Sequence, residues 1–299
     1  MDKSETKHNE GPSPFLGVFS ALLVALIWSG FVVISRMGAK SPLTIYDMAA
    51  LRFGFAGLLL LPATYLWWPR RLKIWQVLVL AAGPGVPYAL LAYGGFLFAP
   101  VSHGGVFING ILPVFTTFIA LIWMGIKPTS RSLFAIFIIL IGCALTAFSK
   151  GDFGGSTSFI GDLLFAASAM LLAIYMPATK IWKLTLKELL SFIPFVNAIL
   201  FIPIWFVALP SNLEAATWHD IFLQMIFQGL GPSILGLVFF FLAIKHLGAT
   251  PTAAILAIVP SIAALMGIPL LGDIPLTLEW IGMGFVTIGI WLTLRAKPS

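Results

Sequence analysis

Between Ile74 and Ile126 the chain runs for 53 residues without one Asp, Glu, Lys or Arg. A single helix of that length would measure about 80 Å, against about 30 Å for the hydrocarbon core of a bilayer, so the stretch must double back. The turn falls at Ala99-Pro100-Val101-Ser102, where proline cannot continue a helix. The other apolar runs, read in the same way, bring the candidate helices to ten, near 15–36, 43–66, 74–98, 102–124, 131–148, 160–179, 187–208, 219–244, 249–271 and 277–295. Only 9% of the residues are charged, against about 25% in an ordinary soluble domain, which is too few to cover a water-facing surface. The expected fold is therefore an all-α membrane protein with ten transmembrane helices. Too little chain is left for a separate catalytic or ligand-binding domain outside the bilayer. The 28 Gly and 20 Pro suit the same solvent, because neighbouring helices and cavity waters re-satisfy the backbone groups they free.

Residues 1–14 are polar and carry both signs, which makes them a tail, and 296–299 form a second one. No short apolar region with a cleavage site follows the first tail, so the first hydrophobic segment is expected to be retained. An even number of crossings puts both tails on one side. If that side is cytoplasmic it collects Lys3, Lys7, Arg70, Arg71, Lys73, Lys127, Arg131, Lys180, Lys183, Lys187, Lys245, Arg295 and Lys297, leaving Arg36, Lys40 and Lys150 outside. Thirteen against three, with Arg52 set aside as intramembrane, points to N-in, C-in by the positive-inside rule. The outer loops are acidic instead, with Asp152, Glu214, Asp220, Asp273 and Glu279. The net charge of +6 is thus a topology signal, and no nucleic-acid partner is expected. Trp67, Trp68, Trp75 and Trp218 flank span ends as interface anchors. The lone Cys143 lies in an apolar run, and the four histidines lie in the tail or at span ends, so neither a metal site nor a cofactor is expected.

Sliding the chain against itself by 147 positions superposes the fourth and fifth spans on the ninth and tenth without a gap. Pro113 meets Pro260, Gly125 meets Gly272, Pro128 meets Pro275, Gly142 meets Gly289 and Thr146 meets Thr293. Residues 15–148 and 160–295 then form two five-helix repeats joined by an extracytoplasmic linker at 149–159. An odd number of spans per repeat inverts the second copy, as in secondary transporters.

Ten spans in a five-plus-five arrangement, Trp28-Ser29-Gly30 in the first span, and the small residues, Pro and Gly around 101–128 and 248–275 resemble the EamA family of the drug/metabolite transporter superfamily. Within it the chain is most similar to YddG-type bacterial exporters of aromatic and other amino acids. The resemblance implies an inner-membrane exporter with a central cavity lined by spans 1, 3, 4, 6, 8 and 9, with spans 5 and 10 at the periphery.

Polar side chains deep in a span are costly unless they face a cavity or a partner, so each is a site candidate. The third span carries Gly83-Pro84-Gly85 and then Pro87-Tyr88, and the eighth carries Gly229-Leu230-Gly231-Pro232-Ser233. Both are expected to break, freeing carbonyls and helix ends that hold a substrate's carboxylate and ammonium without any protein charge; the bland alternative is a kink that only shapes packing. Gln224, Gln228, Gly231 and Leu235 form one helical stripe on the eighth span, and the repeat offset sets Tyr88 opposite Leu235 and Pro84 opposite Gly231. Tyr93 lies about 140° round the helix from Tyr88, so Tyr88 is the one expected to face the substrate. Asn109, Pro113 and Thr116 share a face of the fourth span. Trp28 is either a cavity wall or a packed aromatic. His103 falls at an outer turn, where a water-facing or capping role competes with a substrate or gating role. Tyr175 and Asn197 are weaker candidates. Arg52 is expected to pair with Asp47 or to snorkel outward. The candidate substrate-binding set is Trp28, Ser29, Pro84, Tyr88, His103, Asn109, Thr116, Tyr175, Gln224, Gln228 and Ser233.

No Asp or Glu is expected near the middle of any span, so the carboxylate that proton-exchanging drug antiporters need is missing. The function expected is export of aromatic and other neutral amino acids by alternating access, as an uncoupled facilitator and a monomer, with small-molecule substrate and lipid as its partners. The runner-up is an exporter of aromatic drugs or other small metabolites, with proton coupling. An enzyme would need a nucleophile and base, a metal cluster or a carboxylate pair at bilayer depth, and the sequence offers none.

Overall fold

The computed structural model describes residues 13–149 and 157–295. Most of both tails and the linker lie outside the described residues, and with them Lys3, Lys7, His8, Lys150, Asp152 and Lys297. Among the described residues every regular element is helical. Nine helices are long and apolar enough to cross a membrane: Pro14–Lys40, Ile74–Phe98, Val101–Met124, Ser130–Ala147, Ser158–Ile181, Leu186–Ala208, Trp218–Leu247, Ala249–Leu271 and Thr277–Arg295. The pair Ile45–Leu59 and Leu61–Trp67, bent by 57° just before Pro62, makes a tenth. This pair does cross from one end of the bundle to the other. Near its start the Thr44 hydroxyl donates to Pro210 O, and near its end Ser191 donates to Trp67 O. The spans therefore fall where the sequence puts them, numbered first to tenth in chain order, and the bend in the second is new.

The surface explains the composition. Phe15, Phe206 and Val207 are each more than four-fifths exposed, as apolar side chains that meet lipid rather than water must be. Polar residues appear at helix ends, where they satisfy the first orphan N–H groups: Thr44 with Asp47, Thr185 with Glu188 and Thr217 with Asp220 form reciprocal capping boxes. The fourth and ninth spans both end on glycine in the left-handed region, Gly125 at φ 66° and Gly272 at φ 67°, where any side chain would be strained.

The third span breaks as expected, between Ala82 and Val86. The freed backbone groups are not left open, however. Asn197 on the seventh span accepts from Val86 N–H at 2.7 Å and donates to Ala81 O at 2.9 Å, so one side-chain amide replaces the lost helical pairs. A Cβ on Gly85 would lie 1.9 Å from Ala81 O, which is why glycine stands there. The eighth span corrects the expectation of a second break. It stays continuous and widens into π-helical turns at Leu223–Gln228 and Gly231–Leu235. Pro232 has no N–H for the carbonyl of Gln228, and the Ser233 hydroxyl donates to that oxygen instead, at 2.9 Å.

The fifth and tenth spans pack on each other through glycine. A Cβ on Gly142 would come within 2.6 Å of Gly282 O, one on Gly282 within 2.7 Å of Gly142 O, and one on Gly289 within 3.1 Å of Ala135 O. Gly282 and Gly289 thus serve packing within one chain, whereas Gly284 faces open space.

Candidate functional site

A cavity of about 890 Å³ enters the bundle from the end that carries Pro14 and Arg295, here the terminal face. Lys127, Thr129, Lys180 and Leu294 line its mouth, and Trp28, Phe31, Arg52, Tyr88 and Asn109 line its depth. Ser233, at the middle of the eighth span, marks that depth as the centre of the membrane. The wall is mostly apolar. Trp28 packs tilted against Phe240 with ring centres 5.5 Å apart, and Phe31 stacks on Tyr88 at 5.9 Å. Every span contributes, including the second and seventh, which the family resemblance left out, and the fifth and tenth, which it placed at the periphery but which supply Ser132, Ile290, Thr293 and Leu294.

Seven of the sequence-derived candidates line this cavity: Trp28, Pro84, Tyr88, Asn109, Thr116, Tyr175 and Ser233. Tyr93 does not; it is fully buried against Phe31. Thr116 donates to Pro113 O at 3.1 Å, whereas the Asn109 amide has no side-chain hydrogen bond among the described residues.

Four candidates lie outside the lining. Ser29 donates to Val259 O at 3.2 Å and ties the first span to the ninth. Gln224 and Gln228 do form a stripe, but it faces the first span: Gln224 donates to Ile34 O at 2.8 Å and Gln228 to Ser35 Oγ at 3.0 Å. Only the amide nitrogens are taken by the first span, both Oε1 atoms being buried without a hydrogen-bond partner, and the periodicity could not distinguish a helix-facing stripe from a cavity-facing one.

His103 is the fourth, and its surroundings differ most from expectation. It is 1% exposed rather than water-facing, with Nδ1 2.7 Å from Asp162 Oδ1 and Nε2 3.1 Å from Glu279 Oε1. Glu279, expected in an outer loop, sits buried in the first turn of the tenth span and also accepts from Ser102, Ser149 and Leu276 N–H. Beside this cluster, at the far face of the bundle, Asp273 takes Lys40 at 2.7 Å and Arg36 at 3.3 Å. Arg36 also donates to Phe96 O. Together these pairs link separate spans at the end opposite the cavity mouth.

Arg52 lines the cavity, contrary to the pairing expected for it. Asp47 is engaged elsewhere, accepting from Thr44 N–H, Trp205 Nε1 and Asn212 N–H at 2.9 to 3.0 Å. Arg52 instead donates from Nε to Ser233 Oγ at 3.0 Å, with its guanidinium 5.3 Å from the Phe31 ring centre and 5.0 Å from that of Phe53. Among the described residues no Asp or Glu lines the cavity, and Lys127 and Lys180 join Arg52 as its charged groups. The sequence did carry a signal for this: residues five apart on a helix point about 140° away from each other, so Asp47 and Arg52 could not share a face.

A probable terminal-alkyne amino-acid exporter of Streptantibioticus cattleyicolor is 24% identical over 216 residues, 70% of this chain and 69% of that protein. A solved crystal structure superposes with a TM-score of 0.63 at 18% identity, covering 95% of this chain and 98% of the other, a likeness of fold. The EamA-like transporter family matches residues 15–148 and again 159–295, nearly the whole of a multi-pass membrane protein, and the chain belongs to that family.

Proposed function

We propose that the protein exports aromatic and other neutral amino acids across the bacterial inner membrane by alternating access, as an uncoupled facilitator acting as a monomer. The observation that carries this reading is the cavity of about 890 Å³, aromatic in its depth and without a carboxylate among its described lining residues, open at one face, with the ion pairs of Asp273 and the hydrogen-bonded His103 cluster at the other. Its size is within the range of small-molecule sites. The terminal face is cytoplasmic in this reading, since Arg70, Arg71, Lys127, Arg131, Lys180 and Lys183 gather there, so the conformation faces inward. The relative's printed name supports an amino acid as cargo. No chemical step is assigned to any residue.

Alternating access needs two related halves, and we read 15–148 and 160–295 as inverted copies. The offset of 147 relates Leu112–Met124 to Val259–Leu271 end for end. It also exchanges the two glycine contacts of the fifth and tenth spans: Gly142 with Gly282 becomes Gly289 with Ala135. A swapped pair of this kind is what a two-fold axis between antiparallel helices produces.

A zwitterion carries no net charge, so an uncoupled carrier follows concentration alone, and a tenfold excess inside supplies about 1.4 kcal/mol. Purified protein in liposomes loaded with threonine, methionine or phenylalanine is expected to release them with saturable kinetics and without an imposed proton gradient. Failure with all three, or a requirement for such a gradient, overturns the reading.

A further inference from the structure

Arg52 presents a charge without a counter-ion. Its side chain is 3% exposed, Nε is held by Ser233, and Nη1 is buried with no hydrogen-bond partner. A guanidinium does not deprotonate in a protein, so burial cannot be relieved by losing the proton. Leaving such a group unpaired at mid-membrane is expensive, and the usual remedies are absent: among the described residues no carboxylate lines the cavity, and Asp47 is saturated by its own donors. The Phe31 and Phe53 rings hold the fork in place but do not neutralise it. The missing anion therefore has to arrive with the cargo.

We propose that Arg52 receives the cargo's carboxylate, and that a free carboxylate on an apolar or aromatic body is the feature this cavity selects, more than the ammonium group. This rests on the reading of the chain as a small-molecule carrier and narrows its substrate class. Nη1 is unpartnered but covered, so a carboxylate gains two-point binding to this planar fork once the guanidinium turns from the wall toward the cavity. Ser233 fixes the fork's direction from the opposite half of the chain, and the ring faces beside it accept the rest of the molecule. The ammonium finds no matching carboxylate in the lining, only Asn109 and neutral hydroxyls. A cation without a carboxylate meets Arg52, Lys127 and Lys180 and is repelled.

The test is a ligand series on the unmodified full-length protein, read both as thermal stabilisation and as inhibition of phenylalanine efflux from liposomes. The ligands are phenylalanine, 3-phenylpropionate, phenylalaninamide and 2-phenylethylamine. The two carboxylates are expected to stabilise the protein and to inhibit within about threefold of each other, while the amide and the amine act at least about tenfold more weakly. Arg52→Gln should raise KM for phenylalanine about 10- to 100-fold and erase the preference for acid over amide, and Arg52→Lys should retain part of both. An amide as potent as its acid, or Arg52→Gln with KM within twofold of the parent, overturns the assignment. If Arg52→Gln does not fold, the ligand series decides alone. Phenylalanine transport indifferent to the carboxylate sinks only this inference; no transport of phenylalanine, threonine or methionine sinks the carrier reading, while stabilisation by acid over amide still tests Arg52.

Discussion

The two ends of the bundle use their charged groups in opposite ways. At the far face, Arg36 and Lys40 of the first span pair with Asp273 in the connection between the ninth and tenth spans, and His103, Asp162 and Glu279 from the fourth, sixth and tenth spans form a second cluster. In the cavity, Arg52 is buried to nearly the same degree, and Lys127 and Lys180 stand at the mouth, yet the described lining contains no carboxylate. Similar burial with opposite pairing separates a wall from a site. A charge that closes a structure is neutralised by the protein, and one that waits for cargo is not. The His103 cluster also joins the first half of the chain to the second and lies outside the lining of this cavity.

The strongest way to break the contrast is His103→Ala, which leaves Asp162 and Glu279 as buried anions without the imidazole. A loss of about 3–5 kcal/mol in stability is expected, seen as a large fall in Tm in detergent. A neutral result would mean that the far-face cluster contributes no closure. Next in size is Asn197→Ala, which strands Val86 N–H and Ala81 O inside the third span at a cost of about 2–4 kcal/mol, with phenylalanine KM little changed in whatever protein folds. Asp273→Asn removes two partly exposed pairs and should cost only about 1 kcal/mol. Its sharper readout is access. Cys143 is the single native cysteine and is buried, so Ser41→Cys at the far face can be labelled selectively. Labelling by an impermeant maleimide should accelerate when Asp273→Asn loosens the seal, and an unchanged rate would show that these pairs do not hold it shut.

The spans were legible in the sequence because hydrophobicity is local: each run of about 20 apolar residues declares its own helix, and Pro100 declares the turn. The break at Gly83-Pro84-Gly85 was legible for the same reason, since the missing N–H groups belong to those residues. Its repair was not, because Asn197 lies 111 residues from Val86. His103 shows the same limit. Its partners are 59 and 176 residues away, and nothing near it in the chain distinguishes a buried triad from a polar turn. Arg52 is different, for the angular separation from Asp47 was available in the spacing. The backbone groups freed at Gly83-Pro84-Gly85 and Pro232 were expected to be open to substrate, whereas here Asn197 and Ser233 take them.

The smallest expected effect distinguishes depth from mouth within the cavity itself. Lys127 and Arg52 carry the same charge and line the same space, but Lys127 sits beyond the end of the fourth span and is exposed to solvent. Water and salt screen a charge at that position over about 8–10 Å, whereas the Arg52 guanidinium is enclosed by Phe31, Phe53 and Ser233. Lys127→Gln should therefore change the rate at which carboxylates enter rather than how tightly they are held. A rise in KM of no more than about twofold is expected at low ionic strength, disappearing near physiological salt. Arg52→Gln should show no such salt dependence. If the two substitutions respond to salt alike, the mouth and the depth share one electrostatic environment, and the distinction between an attracting rim and a binding fork fails.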